Sequence, residues 1–281
     1  MTTHNAFQGS HQLKKTLLER LFAHQVAGHI IPPTGAWDGT RGSPSGCTVE
    51  GGVELYHSLV GTSTALTWLY DGLSLSGEST DRDEFVLDWL RSIEPGSDLR
   101  AIEAAFVLWL LEDDEYGVAT FAAGGEVDAL LQTLVELYKT LAVGDTPPEQ
   151  RWRSLREQAE SIRLSTENDL AKVLCALVSA LAWPAGSSLT LLVDGLAAWQ
   201  SVHDIHFSRV EGWIDEAPDE VEQTDEEQNE IGGVCYDEAT FKELYAQWQA
   251  DAPEVKREQH TKQLAQHVRN QLITLLSQAG A

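Results

Sequence analysis

The chain is predicted to be all-α, on three observations. Apolar residues recur at three- and four-residue spacing through most of its length, as on one face of a helix. Helix-start signals of the Thr-x-x-Asp kind stand at Thr80–Asp83 and Thr166–Asp169. No segment shows convincing two-residue alternation; Leu189–Val193 could be a short strand, but its continuation favours helix. Two architectures fit: a multi-helix bundle, or an irregular α-solenoid-like array of helical pairs. Either carries one long Gly/Pro-rich loop over residues 30–52.

Taken in order, Leu13, Leu17, Leu21, Phe22 and Val26 mark the first helix. The pattern repeats from Val53 to Leu73. Thr80 opens a helix over Phe85–Ile93, and Pro95-Gly-Ser-Asp98 ends it and caps the next. That next helix contains Ala104–Leu111, apolar nearly all round and therefore expected at the centre of the core. Val127–Leu141 is strongly amphipathic. Pro147 and Pro148 stand at the first turn of a helix over Glu149–Arg163, where proline is tolerated. Thr166 starts a helix over Leu170–Leu181, and Leu189–His206, Ala239–Gln249 and Val255–Ser277 follow. Trp68, Trp89, Trp109, Trp183 and Trp199 lie in these apolar runs and are read as core.

A hint of internal repetition accompanies the periodicity. Glu-Leu-Tyr occurs at 54–56, 136–138 and 243–245, and Leu99–Trp109 matches Leu189–Trp199. Offsets of this size fit units of two helical pairs; chance agreement among Leu-rich helices gives the same look.

The 281 residues are 42% hydrophobic with nine Trp, enough for a sizeable core. Three scattered Cys make neither a disulfide framework nor a zinc site, so a reducing, cytoplasmic setting is expected. No secretory signal is visible in the first thirty residues, and the longest apolar runs are too short to span a bilayer. The formal net charge of −25 argues against direct binding to nucleic acid or to anionic membrane.

That charge is uneven. Glu211 to Glu230 holds ten carboxylates and no Lys or Arg. Charges this dense cannot be buried unpaired, so the segment is either a solvated linker or a surface for a basic partner. It divides the chain into a helical body (1–210), an acidic strap (211–234) and a C-terminal helical pair (235–281). The candidate partner-binding residues are Trp213, as an aromatic anchor, with Asp215, Glu216, Asp219, Glu220, Glu222, Asp225, Glu226, Glu227 and Glu230. Lys256, Arg257, Lys262 and Arg269 could fold back on the strap and compete with a partner.

Other constellations are weaker. The 30–52 loop offers Trp37, Asp38 and Arg41 as recognising side chains and Cys47 as a reactive one. His203, Asp204 and His206 could contribute to a metal centre, the two imidazoles falling on nearly one helix face. Further carboxylates could come from Glu112–Glu115, crowded at a helix C-terminus where a cation would offset their repulsion. There is no P-loop, dinucleotide fingerprint, nucleophile elbow, His-Glu-x-x-His or EF-hand loop.

The favoured expectation is a non-enzymatic, cofactor-free acidic interaction protein that binds a basic protein, in the manner of inhibitors, immunity proteins, antitoxins or nucleic-acid mimics. The alternatives are a metal-dependent helical hydrolase built on His203, Asp204 and His206, and a helical-repeat adaptor whose strap is only a linker.

Overall fold

Several helices of this chain begin where a side chain or a proline satisfies or replaces a free amide, as at Ser10, Ser43, Asn168 and Pro253. The structure, a computed structural model, describes residues 5–32, 35–75, 79–121, 125–184, 186–211, 230–231, 234–235 and 252–280. Among these residues the helices are α1 His11–Val26, α2 Pro44–Val49, α3 Val53–Val60, α4 Thr64–Leu75, α5 Ser79–Ser92, α6 Ile102–Glu112, α7 Glu126–Ala142, α8 Glu149–Ser165, α9 Asp169–Leu181, α10 Leu191–Val210 and α11 Pro253–Gln278. Ser10 caps α1 by accepting from the Leu13 amide at 3.1 Å. Pro253 occupies the first turn of α11, where its missing N–H is no loss. Glu230–Ile231 pairs antiparallel with Val234–Cys235 in a two-residue ladder. The all-α expectation holds.

Four local expectations need correction. The run Val53–Leu73 is two helices, because Gly61 closes α3 in the left-handed region at φ 94° and Ser63 restarts the chain by accepting from the Leu66 amide at 3.1 Å. The 30–52 segment is not one long loop. Ser43 accepts from the Gly46 amide at 3.2 Å, and Pro44 follows as the first helical residue of α2; the Gly/Pro-rich composition there marks a helix start. Asp98 does not cap the next helix, since it accepts from the Arg100 amide and α6 begins only at Ile102. Thr166 does not cap α9. Asn168 does, accepting from Leu170 and Ala171 at 3.0 and 3.3 Å, because the asparagine carbonyl stands one residue before the first turn.

Packing follows from which faces are apolar. As expected, α6 is central: Phe106, Val107, Leu110 and Leu111 are all fully buried. Contacts return across long sequence distances, α4 with α10 and α5 and α6 with α11, where a solenoid would touch only its sequence neighbours. The arrangement is therefore a closed bundle. Of the expected C-terminal helical pair only the second member lies among the described residues. That helix, α11, places Leu264, Val268, Leu272 and Leu276 in the same core as the body. Its Arg269 is buried, donates to the Leu73 carbonyl near the end of α4 at 3.1 Å and lies over the Phe85 ring at 5.8 Å. Trp89 and Trp199 are core as expected, and Trp68 and Trp109 are partly buried. Trp183 is not core: it is 39% exposed and carries the Arg156 guanidinium 3.7 Å above its ring.

The residues of α2 are buried throughout, and that requires close backbone approach. A Cβ on Gly46 would sit 2.1 Å from the Ala36 carbonyl oxygen, far inside contact distance. Gly46→Ala is expected to cost about 2–3 kcal/mol through forced separation of α2 from the 36–42 turn. Urea unfolding of the two proteins checks this.

Candidate functional site

The strap candidates Trp213, Asp215, Glu216, Asp219, Glu220, Glu222, Asp225, Glu226 and Glu227 lie outside the described residues. Two points at its margins are described. Glu230 opens the short ladder opposite Cys235. Glu211, just past α10, accepts from Lys256 of α11 at 3.3 Å, so one of the four expected competing cations does meet the strap's first residue. Arg257 reaches Ser208 at 3.4 Å and Lys262 pairs with Glu258 at 3.0 Å. Arg269 is buried beneath the end of α4, against the Leu73 carbonyl and the Phe85 ring.

The loop candidates form a turn that serves the fold. Asp38 Oδ1 accepts from the amides of Thr40 and Arg41 at 2.9 and 2.7 Å, and these bonds hold its carboxyl below the usual carboxylate range. Arg41 stands 3.7 Å from the same carboxylate. Trp37 packs against the core and meets the His24 ring edge-on at 5.2 Å, which fits the anchoring role of an aromatic in such a loop.

Behind this turn is a buried polar network that sequence reading missed. Asp71 of α4 is fully buried. Its Oδ2 accepts from the Gly35 amide and the Ser45 hydroxyl at 2.8 and 2.6 Å, and its Oδ1 from the Ser45 amide at 2.8 Å. Burial pushes its pKa up, and the bonds from Ser45 and Gly35 pull it back toward the anion. Cys47 lies beside it with its pKa raised to about 11, chiefly by burial. Its Sγ contacts the carbonyls of Gly42 and His29 at 3.4 and 3.7 Å. A thiol held protonated and enclosed is not the reactive cysteine expected from the loop. The only sequence signal for this network was an acid inside the apolar run Trp68–Leu73.

His203 and His206 do share a face. Phe121 meets the first edge-on at 5.1 Å and stacks on the second at 4.3 Å. His203 is nearly buried and directs Nε2 at the Tyr116 carbonyl, 3.0 Å away, a bond in which the ring must donate. Burial is the main cause that lowers its pKa to about 4, with His260 and His206 adding to it. Asp204 is pushed the other way by burial, and among the described residues its Oδ1 has no hydrogen-bond partner. Among the described residues no group of three or more His, Cys, Asp or Glu is arranged to hold a metal ion. The acidic knot at the end of α6 is offset within the chain. Lys139 donates to Glu112 at 2.7 Å, and Asp113 accepts from the Glu115 and Tyr116 amides at 3.0 and 2.9 Å.

A concavity of 590 Å³ lies where the α3–α4 turn, the start of α6 and the end of α7 meet. His57, Ser63, Asp98, Arg100, Glu103, Tyr138 and Asp145 are among its polar residues. Glu103 accepts from the Ser63 hydroxyl at 2.8 Å, and desolvation raises its pKa. Arg100 forks onto Asp98. Sequence reading passed over Glu103 as one acid beside an apolar run. It becomes conspicuous only when three separate segments converge on it.

Comparison with known proteins finds no family model, no curated protein and no solved structure that matches this chain. Among the described residues no helix is long and apolar enough to cross a membrane.

Proposed function

We propose that this chain is a non-enzymatic interaction protein whose acidic surface, densest in the strap, binds a basic protein. One observation carries the reading: 44 carboxylates face only 19 Lys and Arg, and several cations of the helical body already have carboxylate neighbours. Arg20 stands by Glu50, Arg91 by Asp88, Lys139 by Glu112, Arg163 by Glu160 and Lys172 by Asp169. The surplus negative charge thus has no internal counterpart, and a basic partner relieves its self-repulsion while being steered toward it. The burial of His203 and its hydrogen bond to the Tyr116 carbonyl favour a packing role for the motif over hydrolysis. A cytoplasmic setting accords with the two buried free thiols, Cys47 and Cys175.

Affinity capture from the native host with salt-gradient elution tests the reading. Recovery of a basic protein is expected, with capture weakened when Asp219, Glu220, Glu222, Asp225, Glu226, Glu227 and Glu230 are changed to their amides. Deleting residues 215–230 separates strap docking from an adaptor that binds through its helices, since an adaptor would keep its partner. Capture indifferent to both salt and neutralisation contradicts the proposal.

A further inference from the structure

We infer that the cleft lined by Glu103 binds an alkylammonium group carried on an apolar stem. Its volume of 590 Å³ falls in the range of small-ligand sites, roughly 300–1,000 Å³. Leu99, Ala104, Leu141 and Val143 give it apolar walls, and Val143 is 76% exposed at that surface. Glu103 supplies the charge. Among the described residues its carboxyl accepts one hydrogen bond, from Ser63, and no cation contributes to its titration.

The other polar groups leave that carboxyl unmatched. Tyr138 donates its hydroxyl to the Leu181 carbonyl at 2.8 Å, and His57 Nδ1 is held by the Thr62 carbonyl at 2.5 Å. Arg100, which would otherwise invite an anion, is forked onto Asp98. The C-terminal end of α7, at Leu141 and Ala142, lies on the cleft wall, and the negative end of a helix dipole favours a cation there. Asp145 adds a third carboxylate to Asp98 and Glu103 around the cleft. A ligand that pairs its ammonium with Glu103 and lays methylenes against Leu141 and Val143 satisfies both the charge and the walls. A lysine side chain of a protein and a free alkylamine share this chemistry. The inference stands whether or not the strap docks a partner.

The test is an amide chemical-shift titration of the full chain with n-pentylamine, Nα-acetyl-lysine methylamide and the uncharged n-pentanol. Saturable shifts centred on Gly61, Ser63, Glu103 and Gly144 are expected for both amines, with n-pentanol weaker by about tenfold or more. Glu103→Gln keeps an acceptor for Ser63 and is expected to remove the preference for amine over alcohol. Tighter binding of the lysine amide points to a protein side chain as the natural occupant, and tighter binding of the plain amine to a free ligand. Amine shifts that do not saturate at the cleft overturn the inference. So does n-pentanol binding the wild-type cleft as well as the amine, a comparison that needs no variant.

Discussion

Replacing Asp71 with alanine is expected to destabilise the protein by about 3–5 kcal/mol, because three donors, two of them buried, lose their acceptor at once. The Gly35 amide, the Ser45 amide and the Ser45 hydroxyl all converge on this side chain, and nothing apolar of the right shape replaces it. Asp71→Asn keeps one acceptor oxygen and turns an amide NH₂ toward the remaining donors, so it too is expected to destabilise, by a smaller amount. The loss is local in origin. Amides of α2, where the Cys47 N–H bonds to the Ser43 carbonyl at 2.8 Å, are expected to exchange with solvent much faster in the variant, while α8 and α9 keep their protection. Urea unfolding and hydrogen exchange measure the two effects. Equal stability of wild type and Asp71→Ala would show that the network does not hold the 35–49 segment.

Acidification is expected to loosen the seat of α11. His203 titrates near 4 in the fold, against an ordinary value of 6.5, so folding favours its neutral form. Its stabilising contribution is complete above pH 6.5 and is lost as pH falls toward 4, a difference of about 3 kcal/mol. His260, on the facing helix, is lowered by burial and acts in the same direction. The groups around them are His206 and Asp204 on α10, Arg257 on α11, and the Trp199, Phe121 and Phe207 rings. Two protonated imidazoles on facing helices would repel, and His203⁺ would be trapped among aromatics with one carbonyl acceptor. Asp71, Glu103 and Asp204, all raised by burial, oppose this. Each gains stability as pH falls through its raised value, which offsets the loss at the acid end. His203→Gln isolates the effect, since its amide can donate to the Tyr116 carbonyl without titrating. Wild type is expected to lose about 3 kcal/mol more than this variant between pH 6.5 and 4. Parallel stability–pH curves would contradict the assignment.

The helical class was legible because burial imposes a period on the sequence. Leu13, Leu17 and Leu21, or Leu130, Leu134 and Leu137, announce their face wherever the chain is amphipathic. Boundaries were less legible, since they depend on which of several polar residues reaches a free amide. Asn168 prevails over Thr166 by position, not by type. Composition misled at 30–52, where Ser43, Pro44 and Gly46 read equally as a loop and as the tight start of a buried helix. The polar sites were illegible for a different reason. Asp71 meets Ser45 across 26 residues and Glu103 meets Ser63 across 40, and no local pattern encodes such meetings. Trp109 and Trp199, matched in the weak sequence repeat, lie 5.9 Å apart, yet their helices run 11 and 20 residues.

In the proposed function, surplus carboxylates recruit a basic protein by electrostatic attraction. Stopped-flow association of the captured partner, over rising salt and with the strap acids changed to amides, tests it most directly. The association rate is expected to fall steeply with ionic strength in the wild type. The neutralised variant should bind about tenfold or more slowly at low salt, with dissociation little changed. An association rate that is flat with salt and the same in both proteins would contradict it.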